Sequence, residues 1–574
     1  MRTWLAGVLA IALAVAIAAG GWWVSGRFAE RVAQAVGAGE QVATALAAGS
    51  VPPGARAGVA DPPADLAAVL GNLAGLPHEV SVAGVDLSDG GDGAQVDLRH
   101  SWRIQPDAEP WVYTTNATLR WGEQGWHLAW DPAVLAPGLR PEERLETKRM
   151  LPERGSLVGT QGTAFDPQES LARPVLGIVG AAGQEQADAS GGRVEVGDPV
   201  GLSGVQAAQE ATLAGTPGYV VHRVDISPGS TERHELTSVE PVAGNDVRVS
   251  LDAAVQRAAE QTLAAVGPPS AIVAVRPSDG HLLAVASGPG SQGYSTATLG
   301  RYAPGSTFKV VTAEALLSAG LTPDSVVQCT ATTSAGGWPF RNYSDYPAAA
   351  LGDIPLRTAI AQSCNTALIN ARDLATPQAL HDAAGALGLL AEPRIGAPAY
   401  LGQVPTDGNE TQHGAGLIGQ GLVLASPLGM ATVAASIGGG HTVAPQLVLP
   451  EQTPDAAEPE QPSGAPTAGA DATSQVDAAT GPPAWPPVPH AQALQQMMRG
   501  VVDGGTAAFL ADVPGEPVLA KTGTAEYGTQ TPPRTHAWMI AVQGDLAVAV
   551  FVEDGVSGSS TAGPLLETFL RAVP

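Results

Sequence analysis

The chain is nearly without lysine. Of 574 residues only Lys148, Lys309 and Lys521 are lysine, and the other 26 basic residues are arginine. Arginine cannot release its proton near neutral pH, whereas a desolvated lysine amine can. Lysines kept in so arginine-rich a chain are therefore candidates for proton chemistry. Basic charge is scarce altogether: 29 Lys and Arg against 55 Asp and Glu give a formal net charge of -26. With no basic patch, a nucleic-acid partner is excluded. Cysteine is limited to Cys329 and Cys364, so at most one bridge can form, and two buried thiols or one disulfide stay equally open. A bridge would brace the segment that carries Ser363 and Asn365. Metal-ligand spacing and a nucleotide-binding glycine loop are both missing, so neither a metal nor another cofactor is expected.

What is present suits a large globular protein. Hydrophobic residues make up 44% and charged residues 15%, and the length fits about three or four domains. Trp4 to Val24 is an uncharged run after Arg2, long enough to cross a bilayer. With Trp22 and Trp23 at its end, it reads as an uncleaved anchor over 1–27 rather than a signal peptide. Residues 28–47 and 64–76 have helical periodicity. The period then changes to two through Val80–Leu87, Gln95–Arg99, Trp111–Trp121 and Trp126–Trp130, with Gly-rich turns between them, as hairpins require. This is a small α+β domain over 28–140, its five tryptophans reading as core. Residues 148–245, Gly-rich with short β-like runs, read as a structural pedestal. From 246 onward come a hairpin (Ser270–Val275 and His281–Ser287), helices, an unfolded insertion at 451–489 without Lys or Arg, and strands at 517–526, 537–542 and 546–553. The fold class is α+β and multidomain, ending in an antiparallel sheet flanked by helices.

Chemistry concentrates in Ala303-Pro304-Gly305-Ser306-Thr307-Phe308-Lys309, which opens an apolar run. Helical positions i and i+3 share a face, so the Ser306 hydroxyl is expected to touch the Lys309 amine. Serine is a poor nucleophile until a base takes its proton. Alone the pair is weak. Ser363-Cys364-Asn365 and Lys521-Thr522-Gly523-Thr524 follow it, however, which makes a Ser-x-x-Lys, Ser-x-Asn, Lys-Thr-Gly series in that chain order.

From about 148 to its end, on these motifs, the chain resembles a class B penicillin-binding protein. Residues 28–137 are similar, more loosely, to the nuclear-transport-factor-like domain of methicillin-resistance-type members. The resemblance implies a serine β-lactamase/transpeptidase-like fold over 246–574. It also implies a D,D-transpeptidase that cross-links peptidoglycan stem peptides, is acylated by β-lactams, works outside the cytoplasmic membrane and relies on another protein to polymerise glycan. Ser306 would be the nucleophile and Lys309 the base. Ser363 would relay a proton to the leaving amine, Asn365 orient the donor peptide, and Lys521 supply positive charge. Thr522, Gly523 and Thr524 would bind substrate, and the N–H groups of Ser306 and Thr524 would form an oxyanion hole. The rivals are a D,D-carboxypeptidase, a non-catalytic scaffold, and a β-lactamase or β-lactam sensor. A class A lactamase needs a glutamate to activate water, and Glu392 and Glu410, the glutamates between the second motif and the insertion, lack an Asn three residues on.

Overall fold

The computed structural model describes residues 22–106, 108–450 and 485–574. Contacts divide it into two units. The expected anchor lies mostly outside the described residues, among which no helix is long and apolar enough to cross a membrane.

In the first unit, helix α1 (Trp22–Ala47) turns Ala35, Val42, Ala43 and Leu46 inward, a helical spacing that makes one apolar stripe. Four strands follow: β1 (His78–Leu87), β2 (Gly93–Trp102), β3 (Trp111–Gly122) and β4 (Gly125–Trp130). They pair antiparallel in sequence order, and the short strand Arg56–Ala57 adds parallel to β4. In β2 the buried residues alternate through Ala94, Val96, Leu98, His100 and Trp102, the period of a half-buried strand. Trp102, Trp111 and Trp130 are core, as expected, while Trp121 is exposed. Strands β5 (Glu143–Met150), β6 (Gly218–Asp225) and β7 (Arg233–Val239) form a separate antiparallel sheet with β6 in the middle. Within 148–245, residues 148–152, 184–195 and 216–242 cluster with the first unit and the rest with the second; β6 and β7 complete a sheet that β5 begins.

The second unit is built on a five-stranded antiparallel sheet. Its strands are β8 (Ser270–Val275), β9 (Leu282–Ser287), β10 (Leu519–Tyr527), β11 (Arg534–Gln543) and β12 (Leu546–Val552), in the order β9-β8-β12-β11-β10. Helices α2 (Ala253–Leu263) and α3 (Gly563–Ala572) pack together against it, as do α4 (Pro427–Gly439) and α5 (Ala491–Asp503). Cover on both faces explains why β8 and β9 are buried at every residue instead of alternating. Asp252 caps α2 through the N–H groups of Ala254 and Val255, and Ser426 caps α4 through Gly429.

The segment 451–489, expected to be an unfolded insertion, contains docked residues at its end. Residues 451–484 lie outside the described residues, but Pro487 bridges to His441 and the Trp485 ring lies 4.8 Å from that of His441. A tryptophan and a strand bridge give 485–489 an anchorage that a composition average hides.

Candidate active site

The three motifs meet in the second unit. Ser306 sits in a 3-10 turn, Gly305–Phe308, that runs directly into helix α6 (Lys309–Ser318). Gly305 has φ 53°, and a Cβ there would lie 2.4 Å from the carbonyl oxygen of Thr524 on β10. Opposite it, a Cβ on Gly523 would lie 2.8 Å from Thr307 Cγ2 and 3.0 Å from the Pro304 carbonyl oxygen. A glycine on each side thus lets the nucleophile turn rest on the strand backbone to backbone. Trp538 on β11 fastens the entry to the turn by donating Nε1–H to the Ala303 carbonyl, at 3.0 Å.

Every residue of α6 from Lys309 to Leu317 is buried, so Lys309 is carried into the core with its apolar neighbours. Its Nζ lies 2.6 Å from the Ser363 carbonyl oxygen, 2.6 Å from Asn365 Oδ1 and 3.2 Å from Ser363 Oγ. Lys521, on β10 and equally buried, donates to Ser363 Oγ at 3.0 Å and to the Thr522 carbonyl at 2.9 Å. Two buried amines therefore converge on one hydroxyl.

Ser363 joins the helical segment Leu356–Ala361 to helix α7 (Asn365–Asn370) with φ 56°. A non-glycine residue in this left-handed region costs on the order of 1–2 kcal/mol. The conformation aims both its carbonyl and its hydroxyl at Lys309. Beside it, Cys364 is joined to Cys329 in a disulfide, which decides between the two readings left open by the sequence. Cys364 is thus a covalent tie as well as a packing residue.

The expected contact between Ser306 and Lys309 is not made. Among the described residues Ser306 Oγ has no hydrogen-bond partner, and its side chain is half-buried, while Lys309 Nζ is engaged by three oxygens of the second motif. Helix spacing brings the two residues to one face, but a buried amine goes where its hydrogen bonds are satisfied. Thr522 Oγ1 pairs with Thr506 Oγ1 at 2.7 Å, and Thr524 Oγ1 accepts the Gly558 N–H at 3.1 Å.

Burial governs the electrostatics. Loss of solvent holds the Lys521 amine down at about 7. Lys309 is pushed well below the ordinary lysine value, by desolvation first and by the neighbouring charge of Lys521 second. Both shifts favour the uncharged amine, and a charge on Lys521 presses further on Lys309. A neutral Lys309 has two N–H bonds, which match the two acceptors at 2.6 Å, and a lone pair that faces Ser363 Oγ at 3.2 Å.

Thr506, Asn342, Trp538 and Gly558 were missed in the sequence, for no periodicity or spacing marks them. His536 packs instead of reacting: its Nδ1 lies 2.8 Å from the Glu553 carbonyl oxygen, and its ring stacks on Tyr527 at 3.9 Å.

Residues 270–571 match the penicillin binding protein transpeptidase domain, and residues 146–249 match the penicillin-binding protein dimerisation domain. The chain is 32% identical over 382 residues to the peptidoglycan D,D-transpeptidase PbpA of Mycobacterium tuberculosis, covering 59% of this chain and 73% of that one. A solved structure described as structural coordination of polymerization and crosslinking by a peptidoglycan synthase complex is 25% identical with a TM-score of 0.59, covering 76% of this chain and 92% of its own. Penicillin-binding protein A from M. tuberculosis, as a ceftriaxone acyl-enzyme complex, shares the fold at 23% identity and TM-score 0.54, covering 74% and 98%. Matched over more than half its length by the transpeptidase domain, with the dimerisation domain ahead of it, the chain belongs to the class B penicillin-binding proteins, which are peptidoglycan D,D-transpeptidases.

Proposed function

We propose that cross-linking runs through an acyl-enzyme on Ser306, with Lys309 as general base and the positive charge of the site kept on Lys521. The observation that carries this reading is the convergence of two fully buried amines on Ser363 Oγ. Ser306 Oγ attacks the carbonyl of the penultimate D-Ala as its proton passes to the lone pair of Lys309. The intermediate's oxyanion faces the N–H groups of Ser306 and Thr524. Ser306 is in the first positions of a helical turn, where N–H groups have no partner within the turn, and one such donor is worth about 3–4 kcal/mol. Collapse breaks the peptide bond, and the proton returns from Lys309 through Ser363 Oγ to the departing D-Ala amine. An amine of a second stem peptide then attacks the acyl-serine by the same route in reverse. Thr522 and Thr524 bind the terminal carboxylate beside the charge of Lys521, Gly523 allows the close approach of strand and turn, and Asn365 presents its remaining N–H to the donor peptide.

Residues 28–140 form a nuclear-transport-factor-like domain, a reading supported by α1 lying on a five-stranded sheet. Residues 1–27 anchor the chain in the cytoplasmic membrane, with the catalytic domain outside, supported by the uncharged run from Trp4 to Val24. The partner is a membrane glycan polymerase, as the synthase-complex relative suggests.

Intact-mass spectrometry after incubation with benzylpenicillin tests the site. Wild type should gain one stable adduct and Ser306→Ala none. An adduct retained by Ser306→Ala refutes the nucleophile, and drug turnover without an adduct indicates a lactamase.

A further inference from the structure

We propose that Asn342 is a positioning residue of this transpeptidase, setting the Ser363-Cys364-Asn365 turn with a neutral side chain so that no negative charge stands next to Lys309. The inference deepens the reaction scheme above and rests on Lys309 being its base.

Asn342 follows the hairpin of β13 (Thr332–Ala335) and β14 (Trp338–Arg341) and is buried. Its Oδ1 accepts the N–H groups of Asn365 and Thr366, at 2.8 and 3.2 Å, and its Nδ2 donates to the Thr330 carbonyl at 3.1 Å. Two backbone donors on one side and a carbonyl on the other fix which end of the amide is oxygen. The preceding residue holds the same partner by its side chain, for Asn365 Nδ2 donates to the Arg341 carbonyl at 2.8 Å. Main chain and side chain of Asn365 are thus both pinned by residues 341–342, and Asn365 Oδ1 is left aimed at Lys309. From the other side of the turn, the disulfide ties Cys364 to Cys329, the neighbour of Thr330. Ser363 is held in its left-handed conformation between these ties.

The neutrality of Asn342 is the informative part. Aspartate is as good a cap for free N–H groups, and its charge would favour a helix N-terminus. Here an anion would stand one residue away from the amide that receives the Lys309 amine, and an opposite charge so near favours the protonated lysine. A base needs the reverse.

The charged groups on the elements packed against α6 are engaged elsewhere. Glu314 of α6 itself pairs with His490, Arg357 with Asp324, and Arg499 with Asp503. His381 faces the Val404 carbonyl, Asp382 accepts from Gln378, and the Arg341 side chain is exposed. Lys521 is the charge that acts on Lys309, so an added carboxylate would be felt.

The experiment is the second-order acylation rate with a fluorescent penicillin, from about pH 5 to pH 9, for wild type, Asn342→Ala and Asn342→Asp, with thermal melts and an intact-mass check of the disulfide. Asn342→Ala should acylate on the order of 10²-fold more slowly, the cost of a misplaced reacting group. Asn342→Asp keeps the shape and the acceptor, so its rate should recover at high pH, its rising limb displaced upward by about one unit. A wild-type rate for Asn342→Ala overturns the proposal. So does a rising limb of Asn342→Asp that coincides with that of wild type, which leaves a cap without an electrostatic role. If Asn342→Ala does not fold, the isosteric Asn342→Asp decides alone. A wild-type rate that does not rise with pH refutes the lysine base itself, a different failure from an unmoved Asn342→Asp limb.

Discussion

Replacing Lys521 by methionine separates the electrostatic cost of the site from its hydrogen bonds. The amine is fully buried, and burial lowers it from an ordinary 10.5 to about 7. Between those values the unfolded chain binds a proton that the folded chain does not, so stability rises with pH across the window and the penalty is complete below it. Methionine binds no proton in either state. Losing the hydrogen bonds to Ser363 Oγ and the Thr522 carbonyl costs about 1–3 kcal/mol at every pH. At 1.36 kcal/mol per pKa unit, the pH-dependent part favours Lys521→Met over wild type by about 4 kcal/mol more at pH 6 than at pH 10. Urea unfolding of both proteins across that range, followed by tryptophan fluorescence, reads the difference directly. A gap that stays constant with pH would show that Lys521 titrates normally when folded, and the electrostatic reasoning would fail. Lys521→Met should also lose acylation, so stability gained in acid accompanies activity lost.

Reducing the Cys329–Cys364 bridge opens a loop whose ends are 35 residues apart, a loss of about 4 kcal/mol on the chain-entropy view. Acylation should slow as well, because Ser363 and Asn365 flank Cys364; unchanged melting and acylation after reduction would contradict this. Gly523→Ala puts a methyl group 2.8 Å from Thr307 Cγ2 and should slow acylation on the order of 10²-fold by lifting the nucleophile turn off the strand. Kinetics of penicillin labelling measure it, and a wild-type rate refutes the close-approach argument.

How much of this could be read in the sequence varied with the kind of interaction. Strand β2 was legible because one face is buried and the alternation survives in Ala94, Val96 and Leu98. The strands of the central sheet showed as apolar runs, since helices cover both faces. The motif residues were found because two of only three lysines fell in them. What failed was geometry across the chain. Spacing put Ser306 and Lys309 on one face, yet the direction of Lys309 is decided by acceptors 54 and 56 residues away. Asn342 has nothing in its neighbourhood that announces two backbone N–H groups more than twenty residues further on. Composition described 451–489 as one segment because an average does not register Trp485 docking on His441.

The scarcity of lysine also supplies the most direct test. Labelling lysine side-chain amines with ¹⁵N gives three signals, from Lys148, Lys309 and Lys521, and replacing Lys148 with arginine identifies the two in the site. A neutral base beside a single shared charge predicts that the Lys521 amine loses its proton about pH 7, and that the Lys309 amine titrates well below the ordinary lysine range. If neither signal titrates below about pH 9, Lys309 is a cation at working pH. It could not then take the proton of Ser306, and the mechanism proposed for this site would be wrong.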